Sequence, residues 1–158
     1  MGGAIGEGNV TPAAEFNIWA DPEAAARVFA SGTDVTIVGL DVTHKALFTS
    51  AHQQRLEGRV GALVNALLQF YGAFHRKRYG WDGSPIHDAV AVAQVIDPTL
   101  VTTHRVNVEI ETDSRFCDGR TVVDRWHVRD APKNADVGID VDAERFLDLL
   151  VSRIGSLP

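Results

Sequence analysis

Apolar residues along this chain change their period several times. Ala24, Ala25, Val28 and Phe29 recur at helical spacing. Asp21 stands where an N-cap belongs, with Pro22 at the first helical position, Glu23 in the first turn and Gly32 closing the run. The pattern predicts a helix over 22–31. Residues 1–20 read as loop, because Met1–Gly8 holds four glycines and cannot make a strong strand. The stretch DVTIVGLDV (34–42) is β-branched and apolar on both faces, as a buried parallel strand would be. A helix leading into such a strand is half of an α/β unit. Asp41 and Thr43 then fall near the strand's carboxyl end, where open α/β sheets place their ligands.

Residues 50–79 read as helical. Leu56, Val60, Leu63, Val64, Leu67, Tyr71 and Phe74 form an apolar stripe, expected to face the core. Gly58, Gly61 and Gly72 weaken it and predict two helices or a kink. HRKRYG (75–80) puts cations at a helix end, where they offset the macrodipole. After a turn at Trp81–Pro85, Ile86 to Ile96 is almost wholly apolar and predicts a buried helix, ended by Asp97-Pro98. The period then shifts to two. Val106, Val108 and Ile110 alternate with Asn107, Glu109 and Glu111 over 103–112, and TVVDRWHV (121–128) is a second strand. Asp118-Gly119 marks the turn between them, so the pair is an antiparallel hairpin. ADVGIDV (135–141) is a third strand. Asp142 caps a last helix whose apolar face is Phe146, Leu149, Leu150 and Ile154. There is no internal repeat and no low-complexity segment.

The length of 158 residues suits one domain, and 45% hydrophobic residues supply a core. A net charge of −6 argues against a phosphate-backbone binder, so no nucleic-acid partner is expected. A small neutral or metal-assisted ligand fits that charge better. Cys117 is the one cysteine, which excludes an intrachain disulfide and reads as a reduced thiol without a role. No signal peptide opens the chain, and no apolar run reaches the roughly 18 residues of a membrane span. No membrane partner is expected, and the expected location is cytoplasmic.

Two clusters carry candidate chemistry. His87-Asp88, at the exposed start of the 86–96 helix, offers a proton donor and a metal ligand. The alternative is that Asp88 only interacts with the first turn while His87 packs at the surface. Asn9, Glu15 and Asn17 form the second cluster. Carboxamides donate and accept, a carboxylate accepts, and together they suit vicinal hydroxyls. On an extended segment, Glu15 and Asn17 would point the same way. Loop solvation and capping would explain the same residues. There is no P-loop, GxGxxG, HExxH or CxxC, and Ser84 and Cys117 have no support as nucleophiles.

Taken together, these pieces resemble the inosine–uridine-preferring nucleoside hydrolases. The matching stretches are MGGA…GNVTPAAEFNIWADPEAA, VTIVGLDVTHKAL, YGWDGSPIHDAVAVAQVIDPTL and DGRTVVDRW, in family order over nearly the whole chain. The resemblance implies an α/β, Rossmann-like fold, of which this is the C-terminal part, with an antiparallel hairpin and a C-terminal helix. It implies hydrolysis of the N-glycosidic bond of ribonucleosides in nucleoside salvage, with a calcium ion and an activated water. By position, Asn9, Glu15, Asn17 and Asp88 would contact the ribose, with Met1 beside them. Asp88 would also be a calcium ligand, and His87 would assist protonation of the departing base. Tyr79 and Trp81 fall in the mobile region near the base. Such cleavage passes through an oxocarbenium-like ribose. Leaving-group protonation on one side and a metal-bound, deprotonated water on the other lower its barrier. Hydroxyl contacts fix the sugar between them.

The sequence departs from the family at its aspartate cluster. The family signature DxDxxxDD, which supplies calcium ligands and the base that takes the water's proton, does not occur here. The chain is therefore expected to be a single nucleoside hydrolase-like domain, incomplete at its N-terminus, beginning at a methionine internal to the family. Calcium wants six to eight oxygens and Asp88 brings at most two, so no tight calcium site is expected in the isolated chain. The first expectation is an enzyme region completed by an N-terminal half from another chain, weak or inactive alone. The second is a truncated, non-catalytic relative serving as a ribose-binding or oligomerisation module, and a homo-oligomer is compatible with either. The third is a misassigned start, which an in-frame DxDxxxDD upstream of Met1 would reveal.

Overall fold

The computed structural model describes residues 1–158. In chain order the elements are α1 (Phe16–Ala20), α2 (Pro22–Ala30), β1 (Val35–Ile37), α3 (Leu40–Thr43), β2 (Leu47–Phe48), α4 (Ser50–Gln53), α5 (Gly58–Tyr79), β3 (Ser84–Pro85), α6 (His87–Ile96), β4 (Val101–Ile110), β5 (Thr121–Asp124), β6 (Ala135–Val141) and α7 (Ala143–Gly155). The fold is mixed α/β, as the sequence led us to expect. The chain divides into two compact units. One comprises Met1–Val42 with Val101–Asp140, the other Thr43–Leu100 with Val141–Pro158.

The first unit is built on a four-stranded sheet of order β1-β6-β4-β5. β1 runs parallel to β6, with Val35 opposite Ala135 and Ile37 opposite Val137. β4 and β5 form the antiparallel hairpin, from Asn107 opposite Asp124 to Ile110 opposite Thr121. Alternation buries Val106, Val108 and Ile110 with Ala135 and Val137, and Phe29 of α2 closes this core. Asn107, expected on the outer face, is buried as well, and its Nδ2 donates to the Pro132 carbonyl at 2.9 Å. The α2 cap is as predicted, Asp21 accepting from the Ala24 amide.

Three expectations are corrected here. The strand expected over 34–42 ends at Ile37, and the chain turns into α3. Gly39 lies against the first residues, and a Cβ there would stand 2.6 Å from the Gly3 carbonyl oxygen. Leu40 donates to that same oxygen and Gly2 donates to Val38. Residues 1–20 are not all loop, because α1 forms from Phe16. The second hairpin strand stops at Asp124 rather than 128. The Asp124 carboxylate accepts from the Val128 and Arg129 amides, and His127 takes a positive φ of 52°, so the backbone turns away from the ladder.

The second unit holds the small antiparallel sheet, with Leu47 opposite Pro85 and Phe48 opposite Ser84. Residues 50–79 form two helices, α4 and α5, in line with their glycines. α5 packs on α7 and β3, and α6 packs on α7. Asp142 caps α7 by accepting from the Arg145 amide. The buried side chains of α7 are Phe146, Leu147 and Val151, with Leu149, Leu150 and Ile154 half-buried. Ion pairs join Arg55 to Asp148 at 2.7 Å and Arg145 to Asp97.

Most of the apolar stripe expected to face the core is exposed, with Leu56 buried and Val60 and Val64 half-buried. Leu63 and Leu67 are 60% and 61% exposed and Phe74 58%, with Phe70 at 85%. α5 is apolar on more than one side, and the side that packs uses small residues. A Cβ on Gly72 would stand 3.0 Å from Ser84 Oγ. α6 likewise buries only Val90 and Ala93 and exposes Val92, Val95 and Ile96, so it is not the wholly buried helix expected. No helix is long and apolar enough to cross a membrane.

Candidate functional site

The first unit brings Asn9, Glu15 and Asn17 together around the start of α1. Residues 8–14 close on themselves: Gly8 donates to the Pro12 carbonyl and Asn9 to the Ala14 carbonyl, while Thr11 Oγ1 accepts from the Ala13 and Ala14 amides. Asn9 Oδ1 accepts from the Phe16 amide at 2.9 Å. Glu15 is the N-cap of α1 and only 2% exposed. Its carboxylate accepts from the Asn17 amide at 2.9 Å, the Ile18 amide at 3.3 Å and, across the loop, the Gly3 amide at 2.8 Å. Asn17 is therefore in a helix rather than two residues along an extended segment, which corrects the expected geometry. It is exposed, and its Nδ2 faces the Met1 carbonyl at 3.4 Å and Met1 Sδ at 3.3 Å. Asp41, one residue into α3, accepts from the Ile5 amide at 2.6 Å and the Gly6 amide at 3.1 Å. Carboxylates thus hold the first residues in place from two sides. Chemically, the carboxamides of Asn9 and Asn17 are the members suited to donate to a polyhydroxyl ligand, while the Glu15 carboxylate is engaged by backbone amides.

The second unit places His87 and Asp88 at the start of α6. Asp88 lies in the first turn and is exposed, where the helix end favours a carboxylate. His87 is half-buried, and its Nδ1 lies 2.7 Å from Oγ1 of Thr43, which is fully buried. The imidazole pKa is lowered to about 4 by burial first, then by His44 and His75, with Asp88 opposing. The ring is neutral at pH 7. Around it lies an aromatic cluster. His44 meets His87 edge-on at 5.6 Å and Trp81 at 4.9 Å. Trp81 stacks on Tyr79 at 4.6 Å and on His75 at 6.0 Å. Burial, then Asp88, then Tyr79 raise the Tyr71 phenol pKa.

His44, Tyr71 and His75 were not among the residues given chemical roles from the sequence, and Thr43 was noted there only for its place near the strand's carboxyl end. One signal was available, since Tyr71, His75 and Tyr79 recur every four residues along one helix face. His75 was read only with the cations of the helix end. It is buried, its Nδ1 3.0 Å from the Tyr71 carbonyl.

The donor set does not by itself make a calcium site. Among the 158 residues no group of three or more His, Cys, Asp or Glu side chains is arranged to hold a metal. Asp88 brings at most two of the six to eight oxygens calcium takes.

A family model described as inosine-uridine preferring nucleoside hydrolase matches residues 1–148, and the chain belongs to that family. It is 44% identical over 158 residues to the pyrimidine-specific ribonucleoside hydrolase RihA of Klebsiella pneumoniae (strain 342), covering 98% of this chain and 51% of that protein. Its structure is similar to a plant nucleoside hydrolase, with a TM-score of 0.90 and 32% identity over 99% of this chain and 52% of the other. It is also similar to a purine-preferring ribonucleoside hydrolase from Gardnerella vaginalis, with a TM-score of 0.87 and 36% identity over 98% and 50%. The chain spans about half the length of the curated relatives it matches.

Proposed function

We propose that this chain carries the ribose- and base-contacting part of a ribonucleoside hydrolase that cleaves the N-glycosidic bond. The observation that carries the reading is His87: a neutral imidazole anchored by Thr43 at 2.7 Å and set among aromatic rings able to stack on a planar base. Asn9, Glu15 and Asn17 contact the ribose hydroxyls, with Met1 beside them. Asp88 contacts the ribose and lends its oxygens to calcium, whose other ligands come from aspartates outside these 158 residues. The base that would take a proton from water comes from the same place. Fixing the sugar and meeting the departing base are the parts these residues perform. In this reading residues 1–158 belong to one nucleoside hydrolase-like domain, acting in cytoplasmic nucleoside salvage, with homo-oligomers compatible with it.

The test is reconstitution. The chain is co-refolded with a family N-terminal half bearing DxDxxxDD, and release of base from inosine and from uridine is followed with and without calcium. The relatives include a pyrimidine-specific and a purine-preferring enzyme, so both substrates are needed. Calcium-dependent release by the mixture, and none by either half, supports the reading. No release from a mixture that has assembled counts against it. In the second reading the chain binds ribose or mediates oligomerisation without turnover, and the exposed face of α5 favours it. Heat or a thermal shift with ribose, in a mixture that assembles and releases no base, would favour that alternative.

A further inference from the structure

We propose that Thr43 sets the tautomer of His87, accepting no proton from Nδ1 and holding the ring proton on Nε2, so that His87 meets the departing base as a hydrogen-bond donor. The role at the base rests on the hydrolase reading above; the tautomer does not.

The argument is an accounting of protons. The Thr43 hydroxyl lies 2.7 Å from His87 Nδ1, and Thr43 is 0% exposed. The pair can be joined in two ways. If Nδ1 carries the proton, it donates to Oγ1, and the threonine's own proton is buried with no acceptor. If the hydroxyl donates, Nδ1 accepts through its lone pair and the ring proton sits on Nε2. The second arrangement leaves no buried donor unpaired, and an unpaired donor in a buried position is costly. The Thr43 side chain has no other hydrogen bond to satisfy that proton.

The distance is held by the backbone as well as by the two side chains. Ala46 donates to the Thr43 carbonyl at 3.2 Å, and Ile86, the residue before His87, donates to the Ala46 carbonyl at 3.1 Å. The turn after α3 is thereby fastened to the start of α6. Other groups around the ring are His44, His75 and Asp88. The hydrogen bond at Nδ1 is the one to Thr43.

The chemistry differs from that of an imidazolium acid. As the glycosidic C–N bond breaks, its electron pair moves into the base. Nε2–H donates a hydrogen bond to the base as it gathers that charge, and the departed base takes its proton from solvent. The proton that water loses on attacking the ribose goes to the base residue of the N-terminal half, so the net change is nucleoside plus water to ribose plus protonated base. Thr43 is a positioning residue in this scheme, because it acts only through His87.

The experiment uses the whole 158-residue chain labelled with 15N in histidine. Ring nitrogens are assigned by long-range proton–nitrogen correlation at neutral pH. The expected wild-type spectrum has Nδ1 unprotonated and Nε2 protonated. Thr43→Val removes the hydroxyl at nearly constant shape and is expected to give a mixture of tautomers, while Thr43→Ser restores the wild-type pattern. In the reconstituted mixture, T43V lowers kcat about tenfold with KM nearly unchanged, and T43S recovers it. Nδ1–H in the wild type, or a folded T43V with the wild-type spectrum, overturns the proposal. Should T43V fail to fold, the wild-type and T43S spectra decide, because Nδ1–H in either overturns it. A wild-type spectrum with Nε2–H beside an assembled mixture that releases no base leaves the tautomer standing and overturns the hydrolase reading instead.

Discussion

Glu15 and Asp88 are both assigned to the ribose, yet they stand in opposite surroundings. Glu15 is buried and its two oxygens accept from three backbone amides. Asp88 is exposed in the first turn of α6. The first carboxylate is part of the architecture that holds residues 3, 17 and 18. The second is available to a ligand and contributes little to folding. A carboxylate identified by sequence position alone says nothing about which of these it is. The same contrast runs between the two regions. Around α1 the polar groups are spent largely on backbone donors, whereas around α6 a titratable ring is partly desolvated by aromatic neighbours.

The largest expected effect is on turnover. In the reconstituted hydrolase, His87→Ala should lower kcat on the order of 10²-fold or more, as loss of a group assisting the leaving base does. Steady-state base release measures it. A loss below tenfold would remove His87 from the chemistry and leave the aromatic cluster as its only setting.

Glu15→Ala comes next. Three amides lose a buried charged acceptor, so the chain should lose roughly 3 kcal/mol in urea denaturation, with Glu15→Gln losing less. If both variants are as stable as the wild type, the carboxylate is not architectural and the contrast with Asp88 collapses.

Acid behaviour follows from His87. Burial lowers its pKa from the ordinary 6.5 to about 4 on folding, so the unfolded ring binds a proton in that window while the folded ring does not. Unfolding therefore takes up a proton, and this contribution to stability is present above pH 6.5 and is lost as pH falls through 6.5 toward 4. Thermal midpoints of wild type and His87→Gln, measured across that range, should converge at the acid end. Parallel curves would mean the ring titrates normally.

The smallest effect belongs to Asp88→Asn, which should change stability by no more than about 0.5 kcal/mol because the side chain is exposed. The same variant sharpens the comparison when assayed for calcium-dependent turnover in the reconstituted mixture, where it should be impaired. A large loss of stability would place Asp88 beside Glu15 as a structural carboxylate.

Much of the fold was legible because it is decided locally. The caps at Asp21 and Asp142 and the hairpin of β4 and β5 follow from nearest neighbours along the chain. α1 escaped notice because it is five residues long and its cap is a glutamate, whose stabilising contact includes Gly3, twelve residues away. The strand over 34–42 was overrun because the close approach of Gly39 to Gly3 is a tertiary contact. The stripe on α5 was visible, but which side of the helix packs was not. Periodicity marks a face as apolar without saying what covers it, and Gly61 and Gly72 lie on the adjoining flank of the helix, about 100° round from the stripe.

Of the candidate site, the residue types were readable and their environments were not. Asn9, Glu15, Asn17, His87 and Asp88 stand out by type, and they lie in the motif stretches whose order marks the family, matched over residues 1–148. That His87 is partly desolvated, and bonded to a threonine 44 residues earlier, depends on the folded backbone bringing the two segments together. Sequence alone determined the helix starts at Asp21 and Asp142, the hairpin pairing and the family, since local sterics, hydrogen bonding and motif order are written in neighbouring residues. Tertiary structure alone decided which carboxylate is buried, which apolar face is bare and where the proton of His87 lies. Burial and hydrogen-bond partnership are properties of surroundings assembled from distant parts of the chain.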